Sequence, residues 1–237
     1  MRQAGRIVAE VLDLLRGMVK LGITTADLNQ AAVERIELRG GRPTFKGYRG
    51  YPAHICTSIN DELVHGIPSR NRRLQEGDIV SLDLGVTYQG FVGDAGTTVA
   101  VGEIHPETRR LMEVTEASLH AGIAQARAGN RIGDISAAVQ KRVEADGFSV
   151  IREYTGHGVG RQMHEDPQVP NFGKAGRGIA LKPGMTFAIE PMVSQGDWRT
   201  RVLDDGWTVV TADHSLSAYY EHTIAVTEGE PEIMTML

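Results

Sequence analysis

The sequence repeats itself at an offset of 107 residues. Asp27 recurs as Asp134, and Asp83 recurs as Glu190, with no gap between these positions. Further matches pair Gly22 with Gly129, Arg35-Ile36-Glu37 with Arg142-Val143-Glu144, Gly40 with Gly147, Leu74 with Leu181, Gly77 with Gly184, Leu82 with Ile189 and Val86 with Val193. Chance similarity between amphipathic helices is the alternative, but acids inside apolar strands are rare. The repeat predicts two related halves, at about 1–105 and 106–237, that share one core.

Local patterns predict two helices followed by strands in each half. The predicted helices run over 3–18, from Thr24 to Arg39, from Pro106 to about Ala128, and from Asp134 to just before Gly147. Thr24 with Asp27 three residues later has the form of a capping box, and Pro106 suits the first turn of a helix. The segments 77–100 and 148–226 are predicted to be strands separated by Gly and Pro signals.

Charge and cysteine content exclude several classes of partner. The net charge is −5, so neither nucleic acid nor an anionic membrane is attracted in general. No apolar run is long enough to span a bilayer. Cys56 is the only cysteine, which excludes an internal disulfide framework and fits a reducing compartment. These features predict a cytoplasmic protein.

Two acids lie on strands that are otherwise apolar. Asp83 shares its strand face with the small residues Ser81 and Gly85, which indicates a cavity. A hairpin that closes between Tyr88 and Gln89 would place Asp83 directly opposite Asp94, with Cβ atoms roughly 5 Å apart. Two carboxylates this close require either a shared proton or a cation between them.

A second acid pair and one histidine complete a possible ligand set. Glu190 and Glu221 also share their strand faces with smaller residues, and His157 stands between Gly156 and Gly158, where the backbone can approach a ligand closely. Each of these residues alone has an ordinary structural explanation, but four buried acids without compensation are energetically prohibitive. Four carboxylates and one imidazole suit Mn²⁺, Fe²⁺, Co²⁺ or Zn²⁺, and bridging carboxylates can hold two ions roughly 3.5 Å apart.

Five segments closely resemble type I methionine aminopeptidases over nearly the whole chain. They read CTSINDELVHGIP (56–68), SLDLGVTYQGFVGD (81–94), YTGHGVGRQMHEDPQVP (154–170), TFAIEPMV (186–193) and SLSAYYEHTIAVTE (215–228). The resemblance implies an α+β "pita-bread" fold, in which two pseudo-symmetric α/β halves surround a curved, mainly antiparallel sheet. It also implies that residues 1–237 form a single catalytic domain.

The resemblance assigns roles to the candidate residues. Asp83 would chelate one metal ion, His157 and Glu190 would bind the other, and Asp94 and Glu221 would bridge the two. Glu190 would also shuttle a proton, and His65 and His164 would contact the substrate. The implied reaction is hydrolysis by a hydroxide that bridges two divalent metal ions.

A pocket for the methionine side chain is implied as well. It would be formed by Tyr48, Tyr51, Cys56, Met163 and Trp207, and aromatic edges and sulfur are good neighbours for a thioether. Phe45, Met163 and Arg49 depart from close bacterial relatives, which commonly have Cys, Phe and His there. Backbone groups near Asn60, Glu62 and Ser217 would bind one monovalent cation.

The predicted activity is removal of N-terminal methionine from peptides and nascent chains, at the ribosome, by a monomer that favours a small second residue. One competing hypothesis keeps the metals but cleaves X-Pro bonds, as prolidase and aminopeptidase P do on the same fold. Another is a binding protein without enzymatic activity, although relatives of that kind lose metal ligands and this sequence retains all five.

Overall fold

Helices and strands alternate along the chain in the order that the repeat predicts. The computed structural model describes all residues from 1 to 237. The helices are α1 (Arg2–Met18), α2 (Thr25–Leu38), α3 (Pro106–Ile123) and α4 (Ile132–Glu144). No helix combines the length and the apolar character that crossing a bilayer requires.

Nine strands form the main sheet, and every pair in it is antiparallel. Its strands are β1 (Arg42–Pro43), β2 (Cys56–Ile59), β4 (Ile79–Tyr88), β5 (Phe91–Ala100), β7 (Gly156–Gly158), β8 (Glu165–Val169), β9 (Thr186–Ile189), β14 (Glu221–Ala225) and β15 (Glu232–Ile233). The central order is β1-β4-β5-β14-β9-β7-β8, and β2 and β15 pair with β4 and β14. The expected α+β pita-bread class with an antiparallel sheet is confirmed.

Two smaller sheets of three strands each flank the main sheet. Their strands are β3 (Glu62–Val64), β6 (Ser149–Val150), β10 (Met192–Ser194), β11 (Thr200–Val202), β12 (Val209–Thr211) and β13 (Ser217–Tyr219). The first sheet has the order β13-β10-β6, and the second has the order β11-β12-β3.

Two apolar clusters pack the helices against one face of the main sheet. The first holds 17 buried residues between positions 7 and 101, including Leu12 of α1 and Leu82 of β4. The second holds 12 buried residues between positions 119 and 226, including Ile135 of α4 and Phe187 of β9. Because side chains alternate across a strand, Asp83 points to the face opposite Leu82, away from this helical layer.

The offset of 107 residues recurs in backbone hydrogen bonds. Gly22 N–H donates to the carbonyl of Leu74 at 2.8 Å, and Gly129 N–H donates to the carbonyl of Leu181 at 3.1 Å. Isolated bridges pair Thr24 with Arg73 and Arg131 with Ala180, again at the same offset. The same contacts therefore anchor the start of α2 and the start of α4.

Two predicted helix ends differ from the structure. Asp134 is not the cap of α4: the helix begins at Ile132, and Asp134 accepts a hydrogen bond from Arg131 N–H at 2.7 Å, as Asp27 does from Thr24 N–H. Helix α3 ends at Ile123, five residues before the predicted end. Beyond it, side chains satisfy the free carbonyls: Arg127 Nε donates to Ala124 and Asn130 Nδ2 to Gln125.

The predicted pairing of Asp83 with Asp94 is wrong by two residues. Gln89 and Gly90 form the two-residue turn, with φ of 49° and 77°, so Tyr88 pairs with Phe91. Such a turn needs two positive φ values, and Gly90 readily supplies the second. Asp83 therefore lies opposite Gly96, and Asp94 opposite Gly85. Since the shift is two residues, both acids remain on one face and become diagonal neighbours.

Candidate metal centre

Five adjacent strands of the main sheet each bring one candidate ligand to the same region. In the order β4-β5-β14-β9-β7, these residues are Asp83, Asp94, Glu221, Glu190 and His157, with Glu190 directly after the end of β9. The pairing of His222 with Ile189, extended by one residue, places Glu221 beside Glu190. All five predicted ligands therefore converge, although they come from positions spread over 138 residues (221 − 83) of sequence.

Gly96 leaves the space that the Tyr219 ring occupies beside the acids. It lies opposite Asp83 on one neighbouring strand and opposite Glu221 on the other. A Cβ atom at this position would lie 2.2 Å from Cε1 of Tyr219. A larger residue would therefore displace the Tyr219 ring, whose hydroxyl donates to Glu221.

Burial dominates the electrostatics of the four acids. Asp94 and Glu221 are 2% and 1% exposed. Burial, followed by repulsion from Glu221, raises the pKa of Asp83, Asp94 and Glu190 well above the ordinary carboxyl range. Burial also raises the pKa of Glu221 to about 7, although Tyr219 donates a hydrogen bond to it. At neutral pH these groups need protons or cations among them.

The tautomer of His157 is fixed by a backbone contact. Its Nδ1 lies 2.8 Å from the carbonyl oxygen of Gly158, which can only accept, so Nδ1 carries the proton. Burial lowers the pKa of the His157 imidazole, which favours the neutral ring. Its Nε2 lone pair therefore faces Oδ2 of Asp94 at 3.7 Å and Oε1 of Glu190 at 3.5 Å. Lone pairs facing one another across these distances define a place for a cation.

Unpartnered oxygens provide a direct test of whether a metal fits. Asp83 Oδ1, Asp94 Oδ1 and Glu221 Oε1 are buried and have no hydrogen-bond partner. Ligand atoms of Asp94, His157 and Glu221 all lie within 4.8 Å of one another. Buried polar atoms are almost always satisfied in folded proteins, so three orphans in one cluster fit a bound divalent cation.

One cavity of about 150 Å³ opens onto this cluster and is called the catalytic cavity below. Its walls include every predicted metal ligand and substrate-contacting residue except Glu221, which is fully buried: Tyr48, Tyr51, Cys56, His65, Asp83, Asp94, His157, Met163, His164, Glu190 and Trp207, together with Phe45, Arg49 and Tyr219. Carboxylates therefore form one part of the wall, and aromatic rings and sulfur form another.

The apolar wall is held by aromatic contacts and one buried hydroxyl. Tyr51 packs edge-on against Phe45 and Trp207, with ring centroids 6.4 and 5.2 Å apart. Its one hydroxyl proton is shared between the carbonyl oxygens of Ile55 and Gly66, which lie 3.1 and 3.0 Å from Oη. Because its polar atom is satisfied by the backbone, Tyr51 presents only its ring to the cavity.

Two further histidines border the cavity. The His164 ring lies 4.1 Å from that of His157 and stacks on Tyr48 at 5.4 Å. Burial and the neighbouring His157, Arg49 and His65 lower the pKa of His164 to about 4. Burial also lowers the pKa of His65, whose backbone has a φ of 62°. Both rings are therefore neutral at physiological pH, and each has one N–H donor.

Three supporting residues were missed by the sequence analysis. Tyr219 O–H donates to Glu221 at 2.6 Å, and Thr223 Oγ1 both accepts from the amide of Asp94 and donates to its carbonyl. Asn171 donates to the carbonyl of Glu190 at 2.9 Å. Strand alternation places Thr223 among the smaller neighbours on the face of Glu221 but does not predict its bonds to Asp94, and it could have placed Tyr219 on that face as well. No local signal indicates Asn171.

A cluster of carboxylates with one imidazole, beside a cavity with apolar walls, is typical of the active site of a metal-dependent hydrolase. The sequence matches metallopeptidase family M24 over residues 1–228. The methionine aminopeptidase of Clostridium acetobutylicum is 51% identical over 236 residues, which cover 100% of this chain and 94% of the relative. The chain belongs to family M24, among its methionine aminopeptidases.

Solved structures agree with this assignment. The crystal structure of methionine aminopeptidase from Thermotoga maritima superposes with a TM-score of 0.99 at 48% identity and covers 100% of this chain and 95% of that one. A prolidase from Pyrococcus furiosus has a TM-score of 0.81 at 19% identity, with 100% of this chain and 63% of that chain covered. The prolidase likeness shows the shared fold alone.

Proposed function

We propose that the protein removes N-terminal methionine from peptides and nascent chains, and that it favours a small second residue. The observation that carries this proposal is the catalytic cavity, in which rings and sulfur suited to a thioether lead directly to the buried carboxylates. A methionine side chain seated against Tyr51, Cys56 and Trp207 would bring its own carbonyl to the acids.

We propose that the acids hold two divalent ions, of Co, Mn, Fe or Zn. Asp83 would bind one, His157 and Glu190 the other, and Asp94 and Glu221 both. When bound, such ions supply Lewis-acid polarisation of the carbonyl and lower the pKa of water. The three unpartnered oxygens and the bare Nε2 of His157 support this ligand set.

The remaining chemistry falls to protein side chains. Glu190, whose Oε1 lies 3.5 Å from Nε2 of His157 at the cavity wall, would take a proton from the attacking water and deliver it to the leaving nitrogen. Tyr48 Oη lies 2.9 Å from Nδ1 of His164, so a donating tyrosine leaves the His164 proton on Nε2, available to the developing oxyanion. His65, which also lines the catalytic cavity, would contact the leaving amide.

Peptide cleavage tests the proposal. Purified protein supplied with Mn²⁺ or Co²⁺ is expected to release methionine from Met-Ala-Ser, to act much less on Met-Leu-Ser, and to leave an Ala-Pro peptide intact. The comparison with Met-Leu-Ser tests the size limit at the second residue, and the Ala-Pro peptide tests the prolidase alternative. Absence of methionine release with every divalent metal would refute the proposed activity.

We also propose a cytoplasmic monomer that meets nascent chains at the ribosome. Cys56, the only cysteine, is free and buried, which fits a reducing compartment. One monovalent cation near Asn60, Glu62 and Ser217 is part of the same proposal. The Asn60 carbonyl accepts hydrogen bonds from the Ser217 N–H at 2.9 Å and from its hydroxyl at 3.2 Å, which holds these two segments side by side.

A further inference from the structure

The geometry points to Arg49 as a specificity-determining residue that favours peptides carrying a carboxylate just beyond the scissile bond. This inference rests on the proposed function and adds a charge preference to it. It concerns the part of the peptide that follows the methionine.

Arg49 stands where two cavities meet. It lines the catalytic cavity and also a second cavity of about 510 Å³, called the outer cavity here. The two share His157 and His164 as well. No apolar residue lines the outer cavity, whose walls include Gln162 and Asp166. A peptide whose methionine fills the apolar wall would leave through this polar space and pass Arg49.

The charge of Arg49 is not neutralised within the protein. Its side chain is exposed, and it takes part in none of the ion pairs of the structure. Glu165, an acid of the outer cavity, instead accepts hydrogen bonds from the amides of Arg161 and Gln162, at 2.7 and 2.8 Å. The guanidinium is therefore available to an anionic ligand, and its fork of donors matches a carboxylate.

The position of Arg49 is fixed by a strained turn. Its φ of 50° and ψ of 17° lie in the left-handed region that side-chain-bearing residues rarely adopt, and the turn is closed by Gly47 N–H donating to Tyr51 at 2.8 Å. The guanidinium carbon lies 5.4 Å from the centre of the Tyr48 ring, which stacks on His164. A left-handed backbone also occurs in ordinary turns, as at Gln89, and what matters at Arg49 is that it sets the direction in which the side chain leaves the turn. The Arg49 guanidinium rests on Tyr48, which stacks on His164, so its positive charge can act on substrate near the scissile bond.

The order of the two cavities determines which residue of the peptide can contact Arg49. The first residue fills the apolar wall and the second must be small, so the third side chain is the first that can bring a carboxylate to the outer cavity. Glu165 and Asp166 line only the outer cavity, whereas Arg49 also borders the inner one. We therefore expect the carboxylate of the third residue to pair with Arg49 where the two cavities meet, away from the acids that line only the outer cavity.

A matched set of amidated tripeptides tests the inference. We expect kcat/KM to be about two- to fivefold higher for Met-Ala-Asp-amide than for Met-Ala-Asn-amide, the range that one exposed ion pair produces. The difference should lie mainly in KM and should shrink as salt is added. In Arg49→Gln the ratio should fall to one or below, and Arg49→Lys should restore part of it. Arg161→Gln removes the same charge from a residue that lines neither cavity, and should leave the ratio unchanged.

The outcomes separate the two proposals. If Met-Ala-Asn-amide releases no methionine, the proposed function fails and the inference fails with it. If both peptides are cleaved equally, or if the preference survives Arg49→Gln, the inference is overturned and the proposed function stands. A preference lost in Arg49→Gln and kept in Arg161→Gln supports the inference.

Discussion

Asp94→Asn is expected to lose both bound metal and catalytic activity. Asp94 is 2% exposed, lies within 4.8 Å of ligand atoms from His157 and Glu221, and has one oxygen with no partner. Asparagine has nearly the same shape but no charge, and it cannot bridge two cations. Loss of a residue that merely orients a ligand costs about 10- to 100-fold, so loss of a bridging ligand should lower activity at least about 100-fold.

Metal analysis and methionine release measured on the same preparation check this expectation. His65→Ala is the control, because His65 borders the catalytic cavity without belonging to the ligand cluster. This variant should keep the wild-type metal content while its turnover slows. An Asp94→Asn protein that binds two ions as tightly as the wild type would show that Asp94 does not bridge them.

The same substitution is expected to stabilise the metal-free protein, increasingly so as pH rises. Burial, and then Glu221, Asp83 and Glu190, hold the pKa of Asp94 well above its usual range. Its folded pKa therefore exceeds its unfolded pKa, so the stability it contributes is present at low pH and is lost as pH rises. Asparagine does not titrate. For each pH unit over which Asp94 is ionised in the unfolded chain but protonated in the folded one, the wild type loses about 1.4 kcal/mol of its free energy of unfolding. This corresponds to about 3–6 °C in Tm.

Thermal unfolding in a chelator from pH 5.5 to 8 measures this difference. The Tm of Asp94→Asn minus that of the wild type should grow steadily, and contributions from titratable groups far from Asp94 cancel in the subtraction. Asp204→Asn is the control, since Asp204 is exposed and makes no ion pair, and its difference should stay flat. Added Mn²⁺ should raise the Tm of the wild type far more than that of Asp94→Asn. A flat profile for Asp94→Asn would mean that the acids are not in electrostatic conflict.

Much of the site could be predicted from strand alternation alone. Asp83, Glu190 and Glu221 each interrupt an apolar strand, and a buried acid among small residues has few explanations other than a cavity or a cation. The repeat adds that Asp83 and Glu190 are equivalent positions, and the structure places them on β4 and next to the end of β9. Periodicity identifies the face of a strand reliably because its period is two.

Register and loop assembly could not be predicted in the same way. The pairing of Asp83 with Gly96 depends on a positive φ at Gln89, and a glutamine in the sequence does not predict that conformation. The apolar wall is assembled from Tyr51, Met163 and Trp207, which lie in separate loops. No local pattern brings these together, so they were reached only through the resemblance to a known family. A role for the charge of Arg49 could not be predicted from the sequence either, because it depends on two cavities meeting at that residue.

Anomalous diffraction from crystals grown with Mn²⁺ tests most directly whether cations occupy the carboxylate cluster. We expect two strong peaks within bonding distance of the five side chains, with Asp94 and Glu221 touching both and Nε2 of His157 touching one. Crystals that show Mn²⁺ only at surface acids, with the five side chains unchanged, would contradict the account.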